Sequence, residues 1–255
     1  MLAITREVAP SIVDCELTHL ERQPIDFTKA QKQHKEYCAA LSRLGLKVIS
    51  LPHLSLPDGV FVEDPAVVVD EIALINKLGA LARRAETPSL AEELAKHREL
   101  MWMDGNGTLD GGDVLRVDKN IFVGLSGRTN KEGFRQLAEV MEPFGYKAVE
   151  AKVEGCLHFK TACSFIGRHT VLINPQWVNK ATFADYETLA VDPSEPGAAN
   201  ALLIGDTVLC SQAFPRTLDL MMKKGFSVEA LDNSELLKAE SGMTCSSLIF
   251  KSRLA

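Results

Sequence analysis

Long apolar runs are missing from this chain. Nowhere do about 18 apolar residues follow one another, so no membrane-spanning helix is expected. The first residues, Met1 to Leu17, include Arg6, Glu7 and Asp14 and no uninterrupted apolar core, which argues against a secretory signal. Basic charge is scarce as well: 28 Lys and Arg stand against 34 Asp and Glu, a formal charge of −6. A nucleic-acid surface would show clustered Lys and Arg, and the acidic balance suits a cationic small ligand better. The six cysteines, at 15, 38, 156, 163, 210 and 245, form no C-x-x-C pair and no zinc-ligand spacing with histidine. In a chain of 255 residues that pattern reads as reduced thiols in a cytoplasm and not as a disulfide framework. Phosphate-loop, H-E-x-x-H, dinucleotide and G-x-S-x-G signatures are absent. No linker rich in Pro, Gly or Ser divides the chain, so one domain over 1–255 is expected. Among enzymatic readings a metal-free, cofactor-free thiol mechanism leads.

What is present is a recurring order of short elements. Asp26 is placed to cap a helix from Phe27 to Leu44 that Gly45 stops. Lys47 to Leu51 reads as a strand, Val67–Val69 and Ile72–Ile75 as short β-branched segments, and Leu90–Leu94 as helix after Pro88. Val114–Val117 and Ile121–Val123 flank a turn, as Leu202–Ile204 and Val208–Cys210 flank Gly205-Asp206. Each hairpin precedes a helix and then a strand: a helix opened by the capping-box spacing of Thr129 to Glu132 before Tyr146–Val149, and Thr217–Lys224 before Ser227–Leu231. A unit of about 45 residues recurring along a chain suggests a radial or solenoid array.

Several constellations carry chemistry. Asp58, Glu63 and Asp64 place three carboxylates within seven positions, on a loop that leads into Val67-Val68-Val69. Such a loop is either a solvated acidic surface or a guanidinium site, since paired carboxylates meet that planar cation with charge-assisted hydrogen bonds. Asp110-Gly111-Gly112-Asp113 is a turn in which a carboxylate can orient a histidine. His158, in Cys156-Leu157-His158-Phe159-Lys160, alternates with apolar neighbours as on a strand; a core role competes with a catalytic one. Arg83-Arg84 and Arg128 are surface arginines or carboxylate clamps. Cys245 stands where Ser241-Gly242-Met243-Thr244 gives way to the apolar Leu248-Ile249-Phe250. A loop-to-strand junction is where a scaffold presents reacting groups, although a free cysteine is as a rule a small buried hydrophobe.

Taken in order, Leu56-Pro57-Asp58 through Asp64, Gly79 to Arg84, Thr108 to Asp113, Gly127-Arg128-Thr129-Asn130, Leu157-His158-Phe159-Lys160, Ala199-Asn200 and Thr244-Cys245-Ser246 resemble the dimethylarginine dimethylaminohydrolases of the guanidine-modifying (pentein) superfamily. The resemblance implies an α/β fold, a five-bladed propeller of ββαβ-like units around a central site. It also implies hydrolysis of Nω-methylated L-arginine to L-citrulline and a methylamine or dimethylamine, without cofactor or metal, in a monomer or homodimer. By position Cys245 would be the nucleophile, His158 the general acid and base, and Asp110 the residue holding the histidine. Asp64, with Asp58 and Glu63, would face the guanidinium; Arg83 and Arg128 would take the α-carboxylate. A substrate-covering loop would fall near Leu17 and Thr18. The sequence departs from the family at Phe159, at Ala82 and across 174–198. The alternatives are an arginine or agmatine deiminase of the same superfamily, a non-catalytic binder of arginine analogues, and a thiol-redox protein.

Overall fold

Five aliphatic runs, Leu2–Arg6, Ile72–Ile75, Asn120–Leu125, Thr170–Ile173 and Thr207–Ser211, are the buried middle strands of five separate three-stranded sheets. Near-continuous apolar runs are what strands covered on both faces require. In the computed structural model, which describes residues 1–252, the elements follow in chain order. The first sheet begins with β1 (Leu2–Arg6), α1 (Phe27–Arg43) and β2 (Lys47–Leu51). The second comprises β3 (Ala66–Val68), β4 (Ile72–Ile75), α2 (Thr87–Leu94) and β5 (Glu99–Trp102). The third holds β6 (Val114–Val117), β7 (Asn120–Leu125), α3 (Lys131–Met141) and β8 (Lys147–Lys152). The fourth opens with a single helical turn, α4 (Phe159–Ala162), then β9 (Cys163–Phe165), β10 (Thr170–Ile173) and β11 (Glu187–Ala190). In the fifth come β12 (Leu202–Ile204), β13 (Thr207–Ser211), α5 (Pro215–Lys223) and β14 (Ser227–Leu231). After α6 (Ser234–Leu237), β15 (Leu248–Phe250) returns to the first sheet and pairs with β1.

Every sheet repeats one rule: an inner strand antiparallel to the middle one, and the middle one parallel to an outer strand. This is a ββαβ unit, with a 3₁₀ turn at Lys180–Phe183 replacing the crossover helix in the fourth. Three of the crossovers end identically, at Gly45, Gly145 and Gly225, each in the left-handed region (φ 87°, 76° and 83°) before an outer strand. Glycine is the residue that takes this conformation without steric cost. The units are thus five, arranged as a propeller-like α/β fold.

Two local expectations are corrected. Asn130, not Thr129, caps α3, its side chain accepting from the Gly133 N–H at 2.8 Å; the Thr129 hydroxyl is instead buried on Asp113 at 2.7 Å. His158 is not on a strand but stands in extended backbone just before α4. Four alternating residues fit one helical turn as well as a strand.

The inner strands β3, β6, β9, β12 and β15 all face a common axis and line a channel of about 350 Å³. Its inner end is closed by Glu63, which accepts from Lys160 and from the Thr244 hydroxyl at 2.7 Å. Chain alternation then does the sorting: Glu63 and Thr244 line the channel, while the next residues, Asp64 and Cys245, line a cleft on the other side. No helix among the described residues is long and apolar enough to cross a membrane.

Candidate active site

Loops at one end of the sheets supply the cleft. Its lining includes Asp58, Asp64, Arg83, Arg128, His158 and Cys245, gathered from segments far apart in the chain. Cys245 lies in a turn before β15, and its sulfur accepts from the Gly242 N–H at 3.3 Å. That turn is rigid. A side chain at Gly242 would stand 2.2 Å from Asn200 Cγ, and the Asn200 amide bonds Thr244 N at 3.0 Å, Thr244 Oγ1 at 3.2 Å and the Lys160 carbonyl at 3.1 Å. Burial pushes the Cys245 thiol up to about 12, and the Glu63 and Asp64 carboxylates add to this.

His158 is held on three sides. Its Nε2 bonds Asp110 Oδ2 at 3.1 Å, and Nδ1 is 4.0 Å from Asp64 Oδ1. Gly112 packs so closely that an added Cβ would lie 2.6 Å from Nδ1. The backbone following it is pinned by Asp113, whose Oδ1 accepts from Phe159 N–H at 2.8 Å. Burial alone would lower the His158 pKa, yet Asp64, Asp110 and Asp113 outweigh it and raise it to about 9. Asp110 in turn accepts from Gly79 N–H at 2.9 Å, with its own N–H on Thr129 Oγ1.

Asp64 remains an anion. Burial works against its charge, but His158 and Arg83 hold its pKa at about 2, with Gly112 N–H on Oδ1 at 2.9 Å. Asp58 is buried and its pKa raised by that burial; its Oδ2 accepts from Glu16 N–H at 3.1 Å. Glu63 faces the channel and does not line the cleft. The two arginines differ. Arg83 is buried and fully engaged, Nη1 on Asp64 at 2.7 Å and Nε and Nη2 on Glu86 at 3.0 and 2.9 Å. Arg128 has Nη2 on Thr18 Oγ1 at 3.3 Å, while its buried Nη1 has no hydrogen-bond partner and lies 3.8 Å from Asp110. Arg128 is therefore the cation with a donor to spare. Leu17 packs with Cys245 against the apolar cluster of Val8, Ile12, Val60 and Phe61 and does not itself line the cleft.

Donor atoms of Asp64, Asp110 and His158 come within 4.8 Å of one another. They are already committed, to Arg83, Gly79 and each other, so the set reads as an acid–base cluster and not as a metal cradle. Sequence reasoning missed Glu86, Glu240 and Glu16. Glu86, three residues after Arg83, was open to an i,i+3 argument; nothing in the spacing of Glu240 marks it.

A family model described as eukaryotic N,N dimethylarginine dimethylhydrolase matches residues 18–192. The N(G),N(G)-dimethylarginine dimethylaminohydrolase of Pseudomonas aeruginosa is 32% identical over 97% of this chain and 98% of its own length. That of Streptomyces coelicolor is 35% identical, over 96% and 95% respectively. Among solved structures, a cysteine-to-serine variant of the Pseudomonas enzyme complexed with citrulline is 31% identical, with a TM-score of 0.93 over 97% of this chain and 98% of that one. A histidine-to-glycine variant of a dimethylarginine dimethylaminohydrolase, in an adduct with S-methyl-L-thiocitrulline, matches with the same TM-score of 0.93, 31% identity and the same coverage. The N-terminal domain of a cyanobacterial arginine dihydrolase, 15% identical with a TM-score of 0.87 over 96% of both chains, shares the fold.

Proposed function

Because the chain belongs to the dimethylarginine dimethylaminohydrolase family, we propose that its cleft hydrolyses Nω-methylated L-arginine to L-citrulline and dimethylamine or methylamine. The observation that carries the reading is the meeting of Cys245, His158, Asp58, Asp64 and Arg128 in one cleft.

A guanidinium carbon is a poor electrophile because resonance spreads its charge, so the chemistry depends on posing it beside the sulfur. Asp64, ionised throughout the neutral range, and Asp58 face the incoming cation, and the Arg128 Nη1 donor takes the substrate α-carboxylate. Arg83 supports this from behind, fixing Asp64 between itself and Gly112. Before substrate binds, the thiol keeps its proton. A bound cation next to the sulfur favours the thiolate, the attacking form, and the thiol proton leaves to solvent. The thiolate adds to the guanidinium carbon. His158, an imidazolium at neutral pH, gives its proton to the departing amine nitrogen, and the C–N bond breaks to leave a covalent thiouronium. The now neutral His158 takes a proton from water as it attacks the same carbon; the C–S bond then breaks, and the remaining hydroxyl proton passes to the departing sulfur, releasing citrulline and restoring the thiol. Asp110 holds the ring and stabilises its charged form. No cofactor enters the cycle.

We read residues 1–255 as one guanidine-modifying hydrolase domain working in the cytoplasm as a monomer or homodimer; light scattering on the purified protein reports the last. Incubation with asymmetric dimethylarginine, monomethylarginine and arginine, followed by assays for citrulline, dimethylamine and ammonia, tests the activity. Citrulline with dimethylamine is expected. Citrulline from arginine alone would make the protein a deiminase, and binding without citrulline would make it a non-catalytic binder.

A further inference from the structure

Residues 15–26 join the first 3₁₀ turn to α1 without forming a helix or strand of their own. Within this segment Thr18, His19 and Leu20 are exposed, and their side chains supply little to hold them in place beyond the Thr18 hydroxyl on Arg128. Yet their three successive backbone N–H groups converge on one carboxylate, that of Glu240: Thr18 N–H on Oε2 at 3.0 Å, His19 and Leu20 N–H both on Oε1. Two ties from the cleft itself continue the line, Asp58 to Glu16 N–H at 3.1 Å and Arg128 to Thr18 Oγ1 at 3.3 Å.

Glu240 is unusual in its own right. It lines the cleft and holds a left-handed backbone (φ 54°), a conformation that a non-glycine residue adopts only when its surroundings impose it. It also stands on the rigid turn that carries the nucleophile, two residues before Gly242, whose N–H meets the Cys245 sulfur. The cleft beneath is nearly shut, with about 20 Å³ free. That is room for about one water, not for an arginine-sized molecule. Something must open to admit substrate, and the largely exposed 16–20 segment is a wall whose backbone rests chiefly on one side chain, with Asp58 and Arg128 adding one tie each.

We propose that Glu240 is a positioning residue for the reaction: it latches segment 16–20 over the cleft, and release of those three N–H groups is the opening through which substrate enters. The identity of that substrate rests on the proposed function; the latch does not. With the latch closed, the segment shields the sulfur and the thiouronium from solvent, and because latch and nucleophile share one turn, closing the segment also fixes the Gly242 donor.

The test compares wild type with Glu240→Ala, Glu240→Gln and Glu240→Gly. Amide hydrogen exchange at residues 18–20 is expected to quicken about tenfold in the Ala and Gly variants and less in Gln, which keeps one acceptor oxygen. Alkylation of Cys245 by iodoacetamide at fixed pH is expected to quicken in the same order. With asymmetric dimethylarginine, KM is expected to rise about tenfold and kcat to fall less than about threefold, the signature of lost binding order. Glu240→Gly also removes the side chain from its left-handed backbone, so its melting temperature should equal or exceed that of wild type; a merely structural Glu240 would give the opposite sign. Unchanged exchange and alkylation in Glu240→Ala would overturn the proposal, as would faster exchange with an unaltered KM. If wild type were inert towards dimethylarginine the functional reading would fall, and exchange and alkylation would still decide the latch.

Discussion

His158 and Cys245 keep their protons for opposite reasons. The thiol does so because burial and neighbouring carboxylates make a second anion unwelcome, lifting it to about 12. The imidazole does so because Asp64, shared with the thiol, together with Asp110 and Asp113 outweighs burial and welcomes a cation, lifting it to about 9. Side-chain NMR should therefore find His158 doubly protonated at pH 7.5 with a midpoint near 9, and Asp64→Asn should bring that midpoint down; a midpoint near 6.5 in wild type would refute the assignment. The sign of the linkage follows. A histidine raised from 6.5 to about 9 stabilises the fold fully below 6.5, and the contribution fades as pH rises through 9. Melting curves of wild type should accordingly lose more between these pH values than those of His158→Gln. For the sulfur, Cys245→Ser should keep dimethylarginine binding by calorimetry and lose citrulline formation on the order of a thousandfold or more. Wild-type-like turnover in that variant would remove the nucleophile from the mechanism.

The elements that present these side chains are short, and close packing substitutes for length. The turn Gly111–Asp113 fits between Glu63 and His158 because it has no side chains at its first two positions: Cβ atoms there would lie 2.0 Å from the Glu63 carbonyl oxygen and 2.6 Å from His158 Nδ1. Gly112→Ala must then displace either the imidazole or Asp64 Oδ1, 2.9 Å from the added Cβ. A displacement of about 1 Å at a catalytic group costs on the order of a hundredfold in rate, so kcat is expected to fall by about that factor while circular dichroism keeps the wild-type shape. An unimpaired kcat would mean that the turn yields where it is drawn rigid. α4 is likewise one turn long, yet Asp113 on Phe159 N–H sets the direction in which His158 points.

At the scale of the whole molecule the axis is divided by one ion pair. Glu63 and Lys160 come from the second and fourth units, and their side chains are only 9% and 13% exposed. They are joined to the fifth unit through Asn200, which bonds the Lys160 carbonyl. Removing one partner of a buried pair leaves an uncompensated charge, at about 3–5 kcal/mol. Lys160→Met should lose about that much in urea unfolding, and Glu63→Gln with Lys160→Met should recover part of it. Equal losses in the single and double variants would show that the pair does not act as one. The ring itself closes in the first sheet, where β1 lies between β15 from the far end of the chain and β2.

Much of this was written in local sequence. Asp26 caps α1, accepting from Lys29 N–H at 3.0 Å, Gly45 and Gly225 stop their helices, and the hairpins β6–β7 and β12–β13 lie where their turns placed them. The order of motifs pointed to the family as well. These are short-range matters, decided by capping, turn chemistry and periodicity within a dozen residues. Two of the five repeats were plainly legible; of the others, the first is split between the chain ends, β15 pairing with β1, and the fourth replaces its crossover helix with a 3₁₀ turn. Tertiary structure alone decided that Glu63 faces the channel while Asp64 faces the cleft, that Arg83 pairs with Asp64, and that Glu240 reaches Thr18 across 222 positions. Such pairings are fixed by which distant surfaces bury one another when the ring closes, a condition that spans the whole chain and leaves no mark on the spacing of neighbours.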